Sequence, residues 1–355
     1  MSDRALPLII KPQVNISRST AVRMWLVAAV ALLVAAQSSF SDAGSSFGVA
    51  SAALFAAVFT EFLLTRKRYG LKKIRDGSAA VSGLILALML PNYIEPVYAA
   101  MGAVFAMVVV KHSFGGLGSN FLNPALAGWL FVRFSWPGPF SRALEGAFVP
   151  ESLPLTGSEV SQQVSGFLNR FVFSIFGADL PSGYIELFSM QSPGIIADRA
   201  VLALVLGIIT IAAFMITRLW FSVLYLAVFC FFVRILGGLP FGGELNNGNV
   251  ILALFSGGTL LAAFFLIAEP SSGAKSSAGK AAAVVAAALL GSAFRFFGGE
   301  LYGAFYAVAL VNVCVPLLCR AERRWLYQMS SPEKSEAGKT GGDLAKIDAA
   351  KGGGA

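Results

Sequence analysis

Apolar residues occur along this chain in long runs, which are separated by short segments carrying glycine, proline, asparagine and charged side chains. The runs approach the ~20 residues that an α-helix needs to cross a ~30 Å hydrocarbon core. The pattern predicts about ten membrane-spanning segments. They lie near residues 22–40, 47–65, 78–91, 96–111, 121–136, 199–217, 219–237, 250–268, 281–297 and 301–319.

Several of these segments are shorter than a plain membrane span. The third, fourth and fifth carry Gly, Pro and Asn at their ends. Interruptions of this kind are typical of discontinuous helices, which line binding sites in membrane proteins. We therefore expect broken or partly re-entrant helices in this part of the chain.

The composition supports a membrane protein and excludes other classes. Hydrophobic residues make up 56% and charged residues 13%, against about 45–50% and about 25% in soluble domains. The net charge of +8 does not indicate nucleic-acid binding, because the basic residues lie between apolar runs rather than along one face. Cys230, Cys314 and Cys319 lack metal-binding spacing and are expected to be small buried hydrophobic residues, so no metal site is predicted.

The basic residues predict the orientation, because Lys and Arg collect in cytoplasmic connections. Of the 27 Lys and Arg residues, 21 fall in alternate connections and in the two terminal segments. Both termini are therefore expected in the cytoplasm of a bacterial cell, with the chain in the inner membrane. A cleaved signal peptide at the first apolar run is the alternative, and its removal would leave the other spans unchanged.

One connection, 137–198, is far longer than the ~4–6 residues of a typical loop and is expected on the outer, periplasmic face. Part of it has helical spacing of apolar residues, which predicts a helix lying on the membrane surface. These apolar residues are Val164, Phe167, Leu168, Phe171, Val172, Ile175 and Phe176. The segment 320–355 is predicted to be a cytoplasmic tail that is largely disordered.

The two halves of the chain share an order of short motifs. The run from Ser82 to Pro91 is echoed by the run from Gly258 to Pro270, and a Phe-Gly-Gly sequence follows each one. In the predicted topology the first Phe-Gly-Gly lies inside and the second outside, so the halves are inverted. Chance recurrence of glycine-rich breaks in helical membrane proteins remains the alternative.

The predicted fold is therefore an all-α integral membrane protein of about ten transmembrane helices in two inverted five-helix repeats with broken helices. Residues 1–21 form a cytoplasmic segment and residues 22–136 the first repeat. The outer loop 137–198 separates this repeat from the second one, 199–319, and the tail 320–355 follows.

Four stretches resemble the RnfD/NqrB family of redox-driven ion pumps. They begin at Asp76, Phe114, Leu254 and Phe296, and the resemblance covers most of residues 15–320. The second stretch is the most specific, since it contains GGLGSNFLNPA. Its glycines allow close approach of a ligand or a helix, its amides are polar groups at membrane depth, and Pro124 suits a helix start. The resemblance makes five residues here candidate flavin or ion-path contacts, with tight packing and capping as the alternative: Gly115, Gly116, Gly118, Asn120 and Asn123.

The resemblance also implies FMN, joined through its phosphate to a threonine in an outer loop, and a second, non-covalent flavin such as riboflavin. This sequence lacks the Ala-Thr dipeptide of the family pattern. Thr156 is the single threonine of the outer loop and the candidate attachment site, with Ser158 as the alternative hydroxyl. Thr259 follows a similar Ser-Gly-Gly string inside an apolar run, where it either hydrogen-bonds the backbone of a broken helix or lines a flavin pocket.

As the resemblance implies, the chain is a subunit that passes electrons through its flavin in a complex that moves Na⁺ or H⁺. It has no catalytic residue of its own. Expected partners are a small FMN-bearing subunit, two helical membrane subunits, a cytoplasmic iron–sulfur and NADH module, and the lipid bilayer. The rivals are a non-redox channel of the urea- or ammonium-channel type, and a scaffold without cofactor.

Three ionisable residues near the span ends have both structural and functional interpretations. His112 follows Lys111 at the cytoplasmic end of a span, and interfacial anchoring is preferred there over catalysis. Glu61 lies within a span and either reaches toward the basic cluster at Arg66 or belongs to an ion path. Asp76 is expected to cap a helix or to pair with a neighbouring basic residue.

Overall fold

The structure is a computed structural model and describes most of the chain. It covers residues 18–39, 45–69, 76–113, 122–141, 194–214, 219–237, 248–267 and 276–330, with isolated positions between 162 and 170 and between 239 and 246. Over these residues the chain is helical, and the β-structure there is limited to one bridge between Pro91 and Ile195.

The helices follow the predicted apolar runs closely. The first half contains α1 (Arg18–Ser39), α2 (Ser45–Tyr69), α3 (Ser78–Leu88), α4 (Pro96–Phe105) with a π-helical continuation (Ala106–His112), and α5 (Pro124–Ser135). A short helix α6 (Ile196–Arg199) precedes the second half. The second half contains α7 (Val201–Ala213), α8 (Leu219–Leu236), α9 (Val250–Phe255), α10 (Thr259–Leu261) with a π-helical continuation (Ala262–Leu266), α11 (Ser277–Phe296) and α12 (Gly303–Ser330).

Four helical stretches in the described residues are long and apolar enough to cross a membrane: Thr20–Ser39, Ser45–Arg66, Leu219–Leu236 and Ser277–Phe296. Four further apolar helices are shorter: Ser78–Leu88, Pro96–His112, Val201–Ala213 and Gly303–Leu317. Helix α12 continues to Ser330, past the predicted span end at residue 319. In its described residues, the chain thus has the helical architecture of an all-α membrane protein.

Small residues allow the helices of the first half to pack closely. A Cβ added to Gly83 of α3 would lie 2.8 Å from the carbonyl oxygen of Ala53 in α2. A Cβ on Gly128 of α5 would lie 2.7 Å from the carbonyl oxygen of Gly102 in α4. Because lipid tails are as apolar as leucine, close packing of this kind is a main source of helix association in a membrane.

An aromatic cluster joins α5 to the start of α12. Trp129 is fully buried, and its ring meets four others edge-on at centroid distances of 5.1 to 6.4 Å. The four are Phe140, Tyr302, Phe305 and Tyr306. Edge-to-face pairs are each worth about 0.5–1.5 kcal/mol beyond their buried area. The cluster therefore connects a helix of the first half firmly to one of the second half.

The segment around α6 is a second connection between the halves. The backbone N–H of Ile196 donates to the carbonyl of Leu90, just after α3, at 2.9 Å. The side-chain oxygen of Gln37 on α1 accepts from the N–H of Ala203 in the first turn of α7, at 2.7 Å. Gln37 thereby satisfies one of the N–H groups that a helix start leaves unpaired.

The contact between α4 and α5 generates a prediction for stability. Gly128→Ala should lower the midpoint of thermal unfolding of the purified chain, since the new methyl group must displace the Gly102 backbone, at a cost of about 1–3 kcal/mol. Gly48→Ala is the matched control within a helix, because its Cβ meets only the Pro96 ring at 3.8 Å. We expect no loss there, and equal midpoints for the two variants would contradict the assigned contact.

Candidate functional site

A buried carboxylate connects α2 to the π-helical end of α4. Glu61 is completely buried, and its Oε2 lies 3.1 Å from Nζ of Lys111 and 2.8 Å from Nε2 of His112. Lys111 is 2% exposed and His112 19% exposed. The other oxygen of Glu61, Oε1, accepts no hydrogen bond from the described residues. One carboxylate oxygen therefore receives both nitrogen groups.

The π-helix explains how two consecutive residues reach one carboxylate. In residues 106–112 the backbone bonds run from i to i+5, and the Ser113 hydroxyl continues this spacing by donating to the carbonyl of Val108. The wider turn reduces the angle between successive side chains, so Lys111 and His112 both face α2. Single π-helical turns within α-helices are frequent at functional sites.

The cluster extends through Lys111 to the start of α3. Nζ of Lys111 also donates to Oγ of Ser78 at 2.8 Å. The Ser78 hydroxyl and backbone N–H in turn donate to Oδ1 of Asp76, at 2.8 and 2.9 Å. Asp76 is 8% exposed. The result is a buried chain of ionisable and hydroxyl groups from Asp76 to His112, which we call the Glu61 cluster.

A second polar site lies where the helix 250–267 is broken. Gly257 and Gly258 separate α9 from α10, and both have left-handed backbone angles, with φ of 67° and 68°. Such a break frees backbone groups that an intact helix would pair, and in hydrocarbon each unpaired group costs several kcal/mol. The break therefore requires partners from elsewhere in the chain.

Side chains from two helices satisfy the carbonyl groups at the end of α9. Nη1 of Arg295, on α11, donates to the carbonyl of Ser256 at 3.1 Å, and Nη2 donates to the Ser256 hydroxyl at 2.7 Å. The hydroxyl of Thr259 donates to the carbonyls of Ala253 at 2.9 Å and Ser256 at 3.1 Å. Arg295 is 7% exposed, so its charge is placed at the negative end of a helix with little access to solvent.

A carboxylate lies on the opposite side of the break. Asp198 of α6 is 5% exposed, and its Oδ1 accepts from the backbone N–H of Gly258 at 3.0 Å. This places a negative charge at the N-terminal end of α10, where helix N–H groups favour it. The two half-helices thus meet between charges of opposite sign, each matched to the helix end it contacts.

The structure describes two of the residues that the sequence nominated for cofactor binding. Asn123 is 2% exposed and caps α5, because its Oδ1 accepts from the N–H groups of Ala125 and Leu126. Thr259 hydrogen-bonds the backbone of a broken helix, which is one of the two roles expected for it. The other nominated residues lie outside the described part of the chain: Gly115, Gly116, Gly118, Asn120, Thr156 and Ser158.

One interpretation of a charged residue was wrong: Glu61 does not reach toward Arg66, which is exposed, and pairs instead with the end of α4. His112 contacts this buried carboxylate, and its role as an interfacial anchor stays a prediction. Asp76 lies just before α3, whose N-cap is Gly77, and its Oδ1 accepts from the Ser78 N–H at the start of that helix.

Asp198 and Arg295 were not recognised as site residues from the sequence. The available signal was an ionisable residue at the start of one apolar run and another at the end of a second run. Intramembrane ionisable residues are functional candidates by default, but only the fold shows that these two meet at the same helix break.

Taken together, the fold and the buried groups define a helical membrane protein with ionisable side chains enclosed between its helices and with a broken helix held by opposite charges. Over residues 8–327 the chain matches the NQR2, RnfD, RnfE family, and it belongs to that family. The resemblance seen in its motifs is confirmed.

Individual relatives support this assignment. The chain is 28% identical over 340 residues to the D subunit of the Na(+)-translocating ferredoxin:NAD(+) oxidoreductase complex of Acetobacterium woodii, covering 94% of this chain and 99% of the relative. It is 28% identical to the D subunit of the proton-translocating ferredoxin:NAD(+) oxidoreductase complex of Clostridium ljungdahlii, covering 86% and 91%. It is 27% identical to the D subunit of the ion-translocating oxidoreductase complex of Vibrio cholerae, covering 86% and 94%.

The helix break generates a second prediction. Gly257→Ala should strongly destabilise the fold, because its Cβ would overlap the carbonyl oxygen of Leu301 and lie 2.6 Å from Nη1 of Arg295. Gly299→Ala is the matched control, since Gly299 has a similar φ of 64° but an added Cβ there meets nothing within 4 Å. Both variants carry the backbone strain of about 1–2 kcal/mol, so the difference in their thermal midpoints measures the clash. A Gly257→Ala midpoint no lower than that of Gly299→Ala would contradict the assigned packing.

Proposed function

We propose that this chain is the D-type membrane subunit of an ion-translocating oxidoreductase complex of the Rnf type. The observation that carries the proposal is the match to the family over residues 8–327. In addition, this chain aligns with 91–99% of the length of two relatives. Those relatives are named as subunits of complexes that couple ferredoxin:NAD⁺ oxidoreduction to ion movement. The chain contributes to that activity only within the complex.

The order of helices supports the proposal of two inverted five-helix repeats. Each half begins with two helices, continues with a short or broken one, and ends with two more. In each half the second helix packs against the third and the fourth. We further propose that both termini and the Glu61 cluster lie toward the cytoplasm, as the distribution of basic residues indicates.

The flavin role is part of the same proposal. A flavin would supply the redox chemistry, while the protein would position it. Among the described candidates, the side-chain oxygens of Asn123 and Thr259 are engaged with backbone groups. They therefore suit the wall of a pocket rather than a direct bond to FMN. Thr156, or else Ser158, is the proposed attachment residue, and the glycine-rich run 115–120 is the proposed close contact.

The partners follow from the proposed complex. They are a small FMN-bearing subunit, two helical membrane subunits and a cytoplasmic iron–sulfur and NADH module. Many apolar side chains of the described helices face outward, among them Phe55, Leu206, Trp220 and Phe231. Lipid or neighbouring membrane subunits would cover this surface, and a water-soluble partner would not.

Purification tests the assignment to a complex. An affinity tag on this chain, expressed from its own operon and extracted in mild detergent, should retain the partner subunits and a ferredoxin- or NADH-dependent electron-transfer activity. The non-redox channel would be supported instead by a different set of results. The chain would purify without partner subunits, membranes enriched in it would show no electron-transfer activity, and the reconstituted chain would conduct a small neutral solute.

In-gel fluorescence tests the flavin attachment. Expressed with a flavin transferase, the wild-type chain should give a flavin-fluorescent band on a denaturing gel, and Thr156→Ala should remove it. Ser158→Ala is the matched control in the same loop. If the band is lost in Ser158→Ala but persists in Thr156→Ala, the flavin is attached to Ser158. A wild-type chain that never fluoresces would exclude covalent flavin.

A further inference from the structure

We propose that His112 and Glu61 form a proton-loading site, in which the imidazole passes a proton between the end of the helix bundle and the buried carboxylate. The inference rests on the proposed function and deepens it, since it names the proton as the ion that this subunit exchanges at the Glu61 cluster. It is carried by the geometry of the cluster and by the burial of its members.

The contact between the two side chains requires a proton. Nε2 of His112 and Oε2 of Glu61 lie 2.8 Å apart, which is hydrogen-bond distance. A bare imidazole nitrogen and a carboxylate oxygen would bring two lone pairs together. A proton therefore lies between these atoms, either on the imidazole as N–H or on the carboxyl group as O–H.

The surroundings favour a proton over a sodium ion. Hard cations take several oxygen ligands, whereas the contacts of Glu61 Oε2 are two nitrogen donors. The ammonium group of Lys111 already occupies the place where a metal cation would approach this oxygen.

Proton transfer through the imidazole is balanced in atoms and charge. In the starting state Glu61 is ionised, and His112 is neutral with its proton on Nε2. A proton binds Nδ1, which has no hydrogen bond to a described residue, and His112 becomes an imidazolium whose Nε2–H is held by the ionised carboxylate of Glu61, the form that the contacts with Lys111 and His112 favour. In the onward transfer, the Nε2 proton moves to Oε2 of Glu61. His112 is then neutral with its proton on Nδ1, and Glu61 is a neutral carboxylic acid. The cluster has gained one proton, and no other bond changes.

Among the described residues, the charged groups that face the pair come from three elements. Lys111 lies on the same π-helix as His112, Glu61 lies on α2, and Asp76 lies before α3 and joins through Ser78. When Glu61 is ionised it balances Lys111 directly, and when it is protonated the ammonium still has Ser78 as a partner. The connection to Asp76 therefore keeps Lys111 hydrogen-bonded in both states, so that loading does not leave a buried cation without an acceptor.

The difference in exposure between His112 and Glu61 indicates which of them receives the proton first. His112 is partly exposed, whereas Glu61 is completely enclosed. The histidine is thus the end that meets water, and the carboxyl group is the buried end. Oε1 of Glu61, which accepts no hydrogen bond from a described residue, gives the carboxyl group a second position from which it can release a proton further into the protein.

The complete complex, reconstituted in liposomes with a trapped pH dye, tests the inference. His112→Gln is the central variant, because glutamine can still donate a hydrogen bond to Glu61 but cannot relay a proton. We expect it to keep electron transfer in the presence of an uncoupler and to slow proton movement on the order of a hundredfold. Imidazole added to the medium should restore part of the rate. Glu95→Gln, at an exposed carboxylate, is the matched control for Glu61→Gln.

The outcomes separate the two proposals. Wild-type electron transfer without any ion movement would overturn the proposed function. Wild-type proton movement that is unchanged in His112→Gln would overturn the inference alone. Sodium uptake that persists with a protonophore and disappears in Glu61→Gln, but not in Glu95→Gln, would assign the cluster to sodium and also overturn it.

A spectroscopic measurement is independent of activity. His112 is the single histidine of the chain, so ¹⁵N-histidine labels one side chain in the full-length protein in lipid nanodiscs. We expect a proton on Nε2 when Glu61 is ionised, or a protonated Glu61 carboxyl group when Nε2 is bare. Finding Nε2 unprotonated together with an ionised Glu61 would rule out the shared proton.

Discussion

The architecture depends on one constraint, which is that hydrocarbon offers no water to pair with exposed backbone groups. Regular helices meet this condition internally, but the chain interrupts them at 256–258 and at the start of α7. At each interruption a side chain from a distant element supplies the missing partner: Arg295 and Asp198 at the break, and Gln37 at α7. Because these partners come from other helices, the broken segments also hold the two halves together.

The same constraint explains why the ionisable groups occur in sets. An isolated buried charge costs several kcal/mol, and removing one member of a buried pair costs about 3–5 kcal/mol. Glu61 therefore has two cationic or hydrogen-bonding neighbours, and Lys111 has acceptors on two sides. The helix break uses a different solution, since the partners of its charges are helix ends. The two sites are thus unlike in their contacts: the first joins ionisable side chains to one another, whereas the second joins side chains to helix ends.

Most of the helical framework could be predicted from the sequence, because a long apolar run in a membrane must pair its backbone groups within itself, and a helix does this. The break at Gly257 and the cap at Asn123 were also visible, as both depend on local residue types. The partners of Glu61 were not. They depend on which face of α4 turns toward α2, and the π-helix at 106–112 sets that face. Apolar periodicity contains no signal for a π-helix in so uniform a run. The role of Arg295 was hidden for the same reason, since a single arginine at a span end resembles an orientation signal.

The two polar sites differ in how they respond to voltage. At the break, the carboxylate of Asp198 and the guanidinium of Arg295 have opposite signs, so an ionised pair leaves little net charge there on which a membrane potential can act. Under the proposed proton loading, the Glu61 cluster changes its net charge by one each time a proton enters. A full crossing of the membrane field is worth about 2.3 kcal/mol per elementary charge per 100 mV, and a site partway across feels the corresponding fraction. The occupancy of the Glu61 cluster would therefore follow the potential of the membrane as well as the pH, and an energised membrane would itself set how readily the protein takes up its next proton.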